Sequence, residues 1–370
     1  MFKKILYVVP AFPIGGAEKF LIMLVNSMAN EANQTVVSLS TNNKLQHEFD
    51  ASVSFTPIPR KHKFDLKAVR SFRKMIKHDK PDVIFCLNFF SFFFTKLAML
   101  GLRLKSPLFI SYQTTIHLNR KEEVMHKFYT SIVNKNDHIL FTSRNQEVYT
   151  VNKYRIPRRS FNTIINGIDL KKWHLPDNYH SHIEIRKQYG IPDNAPVIIM
   201  TAAFRAEKNH TGAIRSLKIL HEKYDCKAYL LFVGGGNLFE QVRQYSLELG
   251  MQDFTRFTGP QNDVRPFYWS SNLFTLCSTS VETFSFAALE AMACGLPLVL
   301  TDIGGANEMI VEGLNGYLSK TDDEDIALNW FKALSSNFSA GNIHGHAKQY
   351  FNADRMTNEY KEYLIHNTLN

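Results

Sequence analysis

Two glutamates, Glu282 and Glu290, stand eight residues apart in the run SVETFSFAALEAMACGLPLVLTDIGGANE, Ser280–Glu308. The spacing alone carries little, because glutamate is common; the setting carries more. Residues 286–294 read as a helix. Thr283, Phe284 and Ser285 lie at its entrance, where backbone N–H groups lack intrahelical partners and attract anions. Glu290 lies inside the helix, and its side chain tilts back toward that same end. Both carboxylates are therefore expected to face one pocket. A carboxylate repels a diphosphate, so their partners there would be hydroxyls, of a sugar for Glu282 and of a ribose for Glu290. The competing reading is two helix-end acids balancing the dipole. A buried strand and then Gly304-Gly305 with Glu308 follow, repeating a strand–glycine–helix device.

The elements that must position these residues alternate between strand and helix. Strands are expected at 4–10, 34–40, 82–87, 108–113 and 138–142, with helices at 17–30, 65–78, 91–103 and 144–153. A short strand, 161–165, leads into Asn166-Gly167-Ile168-Asp169 and a polar, Pro-containing linker. The pattern then restarts, with strands at 196–201, 228–233, 255–258, 272–277, 298–301 and 317–319. Helices are expected at 211–223, 238–249 and 286–294. Alternation of this kind predicts parallel sheets. The expected fold is α/β, two Rossmann-like doubly wound domains facing across a cleft, with ligands at the carboxyl ends of the strands. The domains are expected at 1–170 (acceptor side) and 171–350 (donor side), with a helix in 351–370 packing back toward the first.

At this point the chain resembles the retaining GT-B glycosyltransferases of family 4 (group 1). The Glu-x7-Glu run matches that family's signature. Gly15-Gly16-Ala17-Glu18 resembles its N-terminal glycine loop, Thr115-x-His117 its acceptor-side histidine segment and Asn166–Asp169 its interdomain turn. Glu207-Lys208-Asn209 resembles its phosphate-binding stretch, and Gly304-Gly305-x-x-Glu308 and Asn315-Gly316 its C-terminal turns. The landmarks span most of the chain in the family's order, and that joint order is far more specific than any one of them. The resemblance implies configuration-retaining transfer from a nucleotide-diphosphate sugar, with no metal or other cofactor. It assigns Lys208 to the leaving diphosphate. The family's arginine lies five residues before that lysine, where this chain has Ala203; Arg205, two positions on, is the candidate to take its place. His117 would touch substrate, and Gly15, Gly16 and the amides of Thr283–Ser285 would meet the diphosphate. Gly259, after a strand, would flank the base through its backbone. The implied acceptor is a glycan or lipid-linked sugar, in polysaccharide or lipopolysaccharide assembly at the cell surface. The alternatives are a GT-B epimerase and a non-catalytic membrane-associated module that binds nucleotide sugars.

The 370 residues are 45% apolar, enough to fill two cores. Cys86, Cys226, Cys277 and Cys294 form no CxxC pair and no Cys/His cluster, which reads as reduced thiols in a reducing compartment. The apolar run 5–9 is short for a signal peptide and is expected to be a strand. The Phe-rich run 83–104 is broken by Asn88, Lys96 and Arg103, and is expected to be a strand and a helix rather than a membrane span. Net charge is +9, and nine Lys/Arg stand against two acids between Arg60 and Lys80. Leu66, Val69, Phe72 and Ile76 recur there at helical spacing, giving a basic amphipathic helix. It either packs on its own domain, leans on an anionic membrane or attracts a pyrophosphate-bearing acceptor. The expected place of the chain is cytoplasmic, peripheral on the inner face of the membrane. No aromatic platform or finger motif accompanies the charge, so nucleic acid is not an expected partner. Gly15-Gly16 is not GxGxxG, which disfavours a dinucleotide dehydrogenase. Asp323-x-Asp325 reads as a helix start rather than a metal site.

Overall fold

The computed structural model of the chain describes residues 3–13, 15–104, 106–113, 120–156, 161–176, 180–280 and 282–369, without the side chains of 180–183 and 369. The first stretch runs β1 (Lys4–Val9), α1 (Gly16–Ser27), β2 (Asn33–Ser38), β3 (Ser54–Pro57), α2 (Leu66–Asp79), β4 (Val83–Leu87), α3 (Asn88–Met99), β5 (Leu108–Tyr112), α4 (Arg120–Ser131), β6 (Asp137–Phe141), α5 (Arg144–Tyr154) and β7 (Phe161–Thr163). The second runs α6 (His180–Gln188), β8 (Val197–Thr201), α7 (His210–Tyr224), β9 (Tyr229–Val233), α8 (Phe239–Glu248), β10 (Thr255–Phe257), α9 (Arg265–Trp269), β11 (Leu273–Leu276), α10 (Phe286–Ala293), β12 (Leu298–Thr301), β13 (Gly316–Ser319), α11 (Asp323–Ser335), α12 (Ala340–Tyr350) and α13 (Ala353–Leu369).

Two compact units result: residues 1–166 with 353–370, and residues 167–352. Each holds one parallel sheet, in the orders β3-β2-β1-β4-β5-β6-β7 and β10-β9-β8-β11-β12-β13. Strand order reverses between β1 and β4 in the first and between β8 and β11 in the second. These are the two switch points at which such sheets open a crevice at their carboxyl ends.

The first core is aromatic. Phe85, Phe92, Phe94, Phe109 and Phe141 are fully buried, so the Phe-rich run fills the interior. The apolar stripe of α2 also turns inward, with Val69, Phe72 and Ile76 buried and Phe72 stacked 6.0 Å from Phe94. The basic face of α2 remains outside. Asp65 caps α2, accepting from the amides of Lys67 and Ala68, so this acid serves a helix start rather than offsetting the surrounding charge. Helix α13 rejoins the first unit through Tyr360, which lies 5.1 Å from Phe20, and through Lys361 paired with Glu31 at 2.6 Å.

All four cysteines are free, and burial pushes the Cys86 and Cys277 thiols up to about 12. Asp323 accepts from Arg215 of α7, while Asp325 accepts from Ser319 Oγ at 3.0 Å and the Lys320 amide at 2.7 Å, so each acid is engaged by protein donors. Among the described residues no helix is long and apolar enough to cross a membrane.

Candidate active site

Lys208 follows β8 and Glu282 follows β11, the two strands that flank the switch point of the second sheet. Residues 74 apart in sequence thus arrive together. Lys208 Nζ donates to Glu282 Oε2 at 2.5 Å, and Ser278 Oγ donates to the same oxygen at 3.2 Å. Both members of the pair are about four-fifths buried, with 20% and 17% of their side chains exposed. Desolvation offsets much of the attraction in a pair at that depth, but removing one partner leaves the other charge buried and uncompensated, which costs more than the roughly 0–1 kcal/mol of a surface pair.

Three neighbours fix the Glu282 loop. The Thr279 amide donates to Glu207 O at 2.9 Å, tying it to the Lys208 loop; Thr301 Oγ1 donates to Ser278 O at 2.7 Å from the end of β12; and the Gly305 amide donates to Thr283 O at 2.7 Å. Gly304 closes against this loop with φ +62. A Cβ there would overlap the Glu282 carbonyl oxygen and lie 2.7 Å from its carbon, so the sequence needs glycine for backbone conformation and for space together.

The Lys208 loop rests on Phe204 and His210, stacked 4.0 Å apart and 16° from parallel. Burial, helped by the neighbouring Lys208 charge, brings His210 down to about 4, so the ring is neutral at pH 7. Gly236 lets β9 approach, since a Cβ on it would lie 2.6 Å from Phe204 O. Asn209 adopts a left-handed conformation (φ 56) and caps α7, its side chain accepting from the Gly212 amide at 3.1 Å.

The other expected residues fall differently. Ser285 is the N-cap of α10, accepting from the Ala288 amide at 3.2 Å. The first-turn donors of that helix therefore belong to Phe286 and Ala287, three residues beyond Thr283. Phe284 is 5% exposed, with its ring 5.7 Å from Phe351, and so belongs to the core. Glu290 is 4% exposed and accepts from the buried Tyr268 hydroxyl at 3.2 Å. It is not among the residues lining the small cavity of Ser278, Glu282, Ser285 and Thr301. Arg205 is exposed, and its nearest carboxylate is Glu207 at 3.9 Å. Gly259 turns after β10 with φ +71 and accepts from the Gly234 amide at 3.0 Å. Its neighbour Arg256 is committed to the carbonyls of Tyr189, Gly190 and Asp253.

In the first unit Gly15 is the N-cap of α1 and Gly16 its first residue. The Glu18 carboxyl folds over Gly15, where burial raises its pKa above the ordinary carboxylate value. His117 lies outside the described residues. Sequence reasoning passed over Ser278, Thr301, Tyr268 and His210. Ser278 and Thr301 carried a signal, each closing a strand beside the switch point. Tyr268 carried none, since its link to Glu290 spans 22 residues.

With that geometry in view, residues 14–172 match the Glycosyltransferase Family 4 model and residues 181–344 match Glycosyl transferases group 1. The chain belongs to the group 1 glycosyl transferases of family 4. N-acetyl-alpha-D-glucosaminyl L-malate synthase of Bacillus anthracis is 32% identical over 167 residues, covering 45% of this chain and 42% of that protein. A GDP-mannose-dependent alpha-(1-6)-phosphatidylinositol monomannoside mannosyltransferase of Mycolicibacterium smegmatis is 28% identical over 205 residues, 52% of each chain. The chain thus spans about half the length of these curated relatives. HepE from Anabaena, solved in complex with UDP, superposes with a TM-score of 0.82 at 19% identity, covering 98% of this chain and 99% of that one. The two parallel sheets, with helices between their strands, are the GT-B fold.

Proposed function

We propose that this chain is a retaining, metal-independent glycosyltransferase that moves a sugar from a nucleotide-diphosphate sugar to a lipid-linked or glycan acceptor in cell-surface polysaccharide assembly. The observation that carries the reading is the Lys208–Glu282 contact at the carboxyl ends of β8 and β11. Lys208 is the cation that meets the leaving diphosphate, aided by Arg205 and by the first-turn donors of α10. On donor arrival Lys208 turns from carboxylate to phosphate, and Glu282 is freed for sugar hydroxyls. Glu290 takes the ribose. The acceptor hydroxyl attacks on the face the diphosphate leaves, and a departing phosphate oxygen takes its proton, so the protein's task is positioning and charge stabilisation. HepE binding UDP and the GDP-mannose dependence of the Mycolicibacterium relative support a nucleoside diphosphate leaving group.

A thermal-shift panel of nucleotide sugars tests the donor. The true donor at a hundred times its Kd stabilises by about 2.7 kcal/mol. Proton NMR of the product then reads the anomeric configuration. A donor that binds but gives inverted product, or a panel with no shift, overturns the reading.

The second part of the proposal is a peripheral anionic-membrane contact through α2. Lys67, Arg70, Lys74 and Lys77 are exposed, and Phe64 and Leu66 at its start are 56% and 60% exposed. Each basic residue near such a surface contributes about 1 kcal/mol, screened by salt. Co-sedimentation with phosphatidylserine vesicles at low salt is expected, falling sharply when the four basic residues become Gln. Equal sedimentation of the variant would refute the contact.

A further inference from the structure

The first sheet has its own crevice. At the carboxyl ends of β1, β4 and β5, on the β1/β4 switch point, lies a cavity of about 530 Å³. Its walls include Phe89, Phe90, Met125 and Tyr129, and its charged groups are Arg60, Lys63, Lys121 and Glu122. The lining therefore carries three cations against one carboxylate.

Arg60 is the unusual member. It follows β3 and is half-buried, with its guanidinium 4.3 Å from the Phe90 ring centre. Its Nε is fully enclosed and meets no acceptor among the described residues. No described carboxylate pairs with the group. A guanidinium placed against an aromatic ring and left with an unmade buried hydrogen bond costs stability. Stacking orients the planar fork, and a fork held in that way binds a phosphate through two parallel hydrogen bonds. Lys63 and Lys121 are exposed on the same wall and answer the second charge of a dianion.

The apolar walls continue outward. The Tyr129 ring lies 5.3 Å from Phe93, which is 5.9 Å from Phe64 and 5.6 Å from Phe128, and these last two are 56% and 45% exposed. An apolar path thus leads from the cavity to the protein surface.

We infer that this cavity is a phosphate-ester site, in which Arg60 grips the phosphate of the acceptor while Phe90 and Tyr129 receive its apolar portion. The inference deepens the function proposed above by naming the acceptor's anionic group and rests on that reading only for the word acceptor. The phosphate can come from a prenyl-type lipid or from a soluble ester. The chemistry at Arg60 is the same, and the arms of the experiment separate the sources.

The test is calorimetric binding to the full chain of farnesyl pyrophosphate, farnesol and inorganic pyrophosphate. Farnesyl pyrophosphate is expected to bind and farnesol not. Inorganic pyrophosphate binding at least about tenfold more weakly assigns a lipid source, and equal binding a soluble one. Arg60→Gln is expected to weaken farnesyl pyrophosphate at least about tenfold, the scale of a lost charge-assisted hydrogen bond, with Arg60→Lys in between. Lys63→Gln/Lys121→Gln, both exposed and outside the core, weakens it about threefold or more even if the Arg60 variants fold poorly. Lys348→Gln, on the exposed surface of the other unit, leaves it unchanged. Lys208→Met is expected to weaken UDP but not farnesyl pyrophosphate. If Lys208→Met abolishes farnesyl pyrophosphate binding while Arg60→Gln keeps it, the pyrophosphate has entered the donor site. The inference then falls and the proposed transferase stands. Loss of UDP binding in neither variant would instead count against the transferase reading.

Discussion

Lys208→Ala and Glu282→Ala each lower turnover by at least about a hundredfold, the scale of removing one preorganised electrostatic group from an active site. The two losses do not add. Lys208 Nζ and Glu282 Oε2 are in direct contact at 2.5 Å, and each single variant leaves the other charge four-fifths buried without its partner. The double variant removes both charges and is expected to be scarcely slower than the worse single one. Glu282→Gln separates the roles. It keeps a hydrogen bond for Lys208 and for a sugar hydroxyl but lacks the charge, so an intermediate rate is expected. Steady-state kcat and kcat/KM for the four variants, at saturating donor, decide the matter. Near-wild-type turnover in both Ala variants would remove the pair from the mechanism.

The second large effect is at Gly304. Its φ of +62 costs a non-glycine residue about 1–2 kcal/mol. Gly313 is in the same position conformationally, with φ +78, but a Cβ there meets nothing within 4 Å. A Cβ on Gly304 overlaps the Glu282 carbonyl oxygen and lies 3.3 Å from Thr283 O, which adds a packing penalty of about 1–3 kcal/mol. Gly304→Ala is therefore expected to melt about 5–15 °C below wild type and Gly313→Ala only about 2–6 °C below. Turnover separates them further. In Gly304→Ala the Glu282 backbone must move, and a displacement near 1 Å costs about a hundredfold in rate; Gly313→Ala keeps its activity. Equal melting points and equal rates for the two variants would show that the 304–305 turn does not position Glu282.

Much of this molecule is legible without coordinates. The strands 298–301 and 108–112 emerge from short apolar runs bounded by glycine or proline, because a strand buried on both faces needs a continuous apolar run. One helix of the first half is less visible. Helix α4, Arg120–Ser131, buries only His126 and Tyr129, so its sequence shows little periodicity. Helices α6 and α12 are polar, and β3 is a four-residue edge strand, so none of the three carries enough apolar signal to be read.

Site residues divide along the same line. The order of motifs along the chain points to Lys208, Glu282 and Glu290, because the first two lie beside strand ends and the third sits in the helix that follows Glu282, which leave local signatures. Their neighbours do not follow from that order. Tyr268, from α9, donates to Glu290, while Ser278 and Lys208 hold Glu282 at the strand ends. The inward turn of the α2 stripe likewise depends on α3 lying beside it.

What the amino-acid order determined by itself is the alternation of strands and helices, the family, and the residue types that could handle phosphate and hydroxyl groups. Those properties reside in local patterns of polarity and backbone freedom. Only the tertiary structure decided which charge meets which: Lys208 on Glu282 across 74 residues, and Arg60 against Phe90 with no acid of its own among the described residues. Pairing at that range is set by strand order in the sheets, and strand order is fixed by the packing of whole elements rather than by any stretch of sequence.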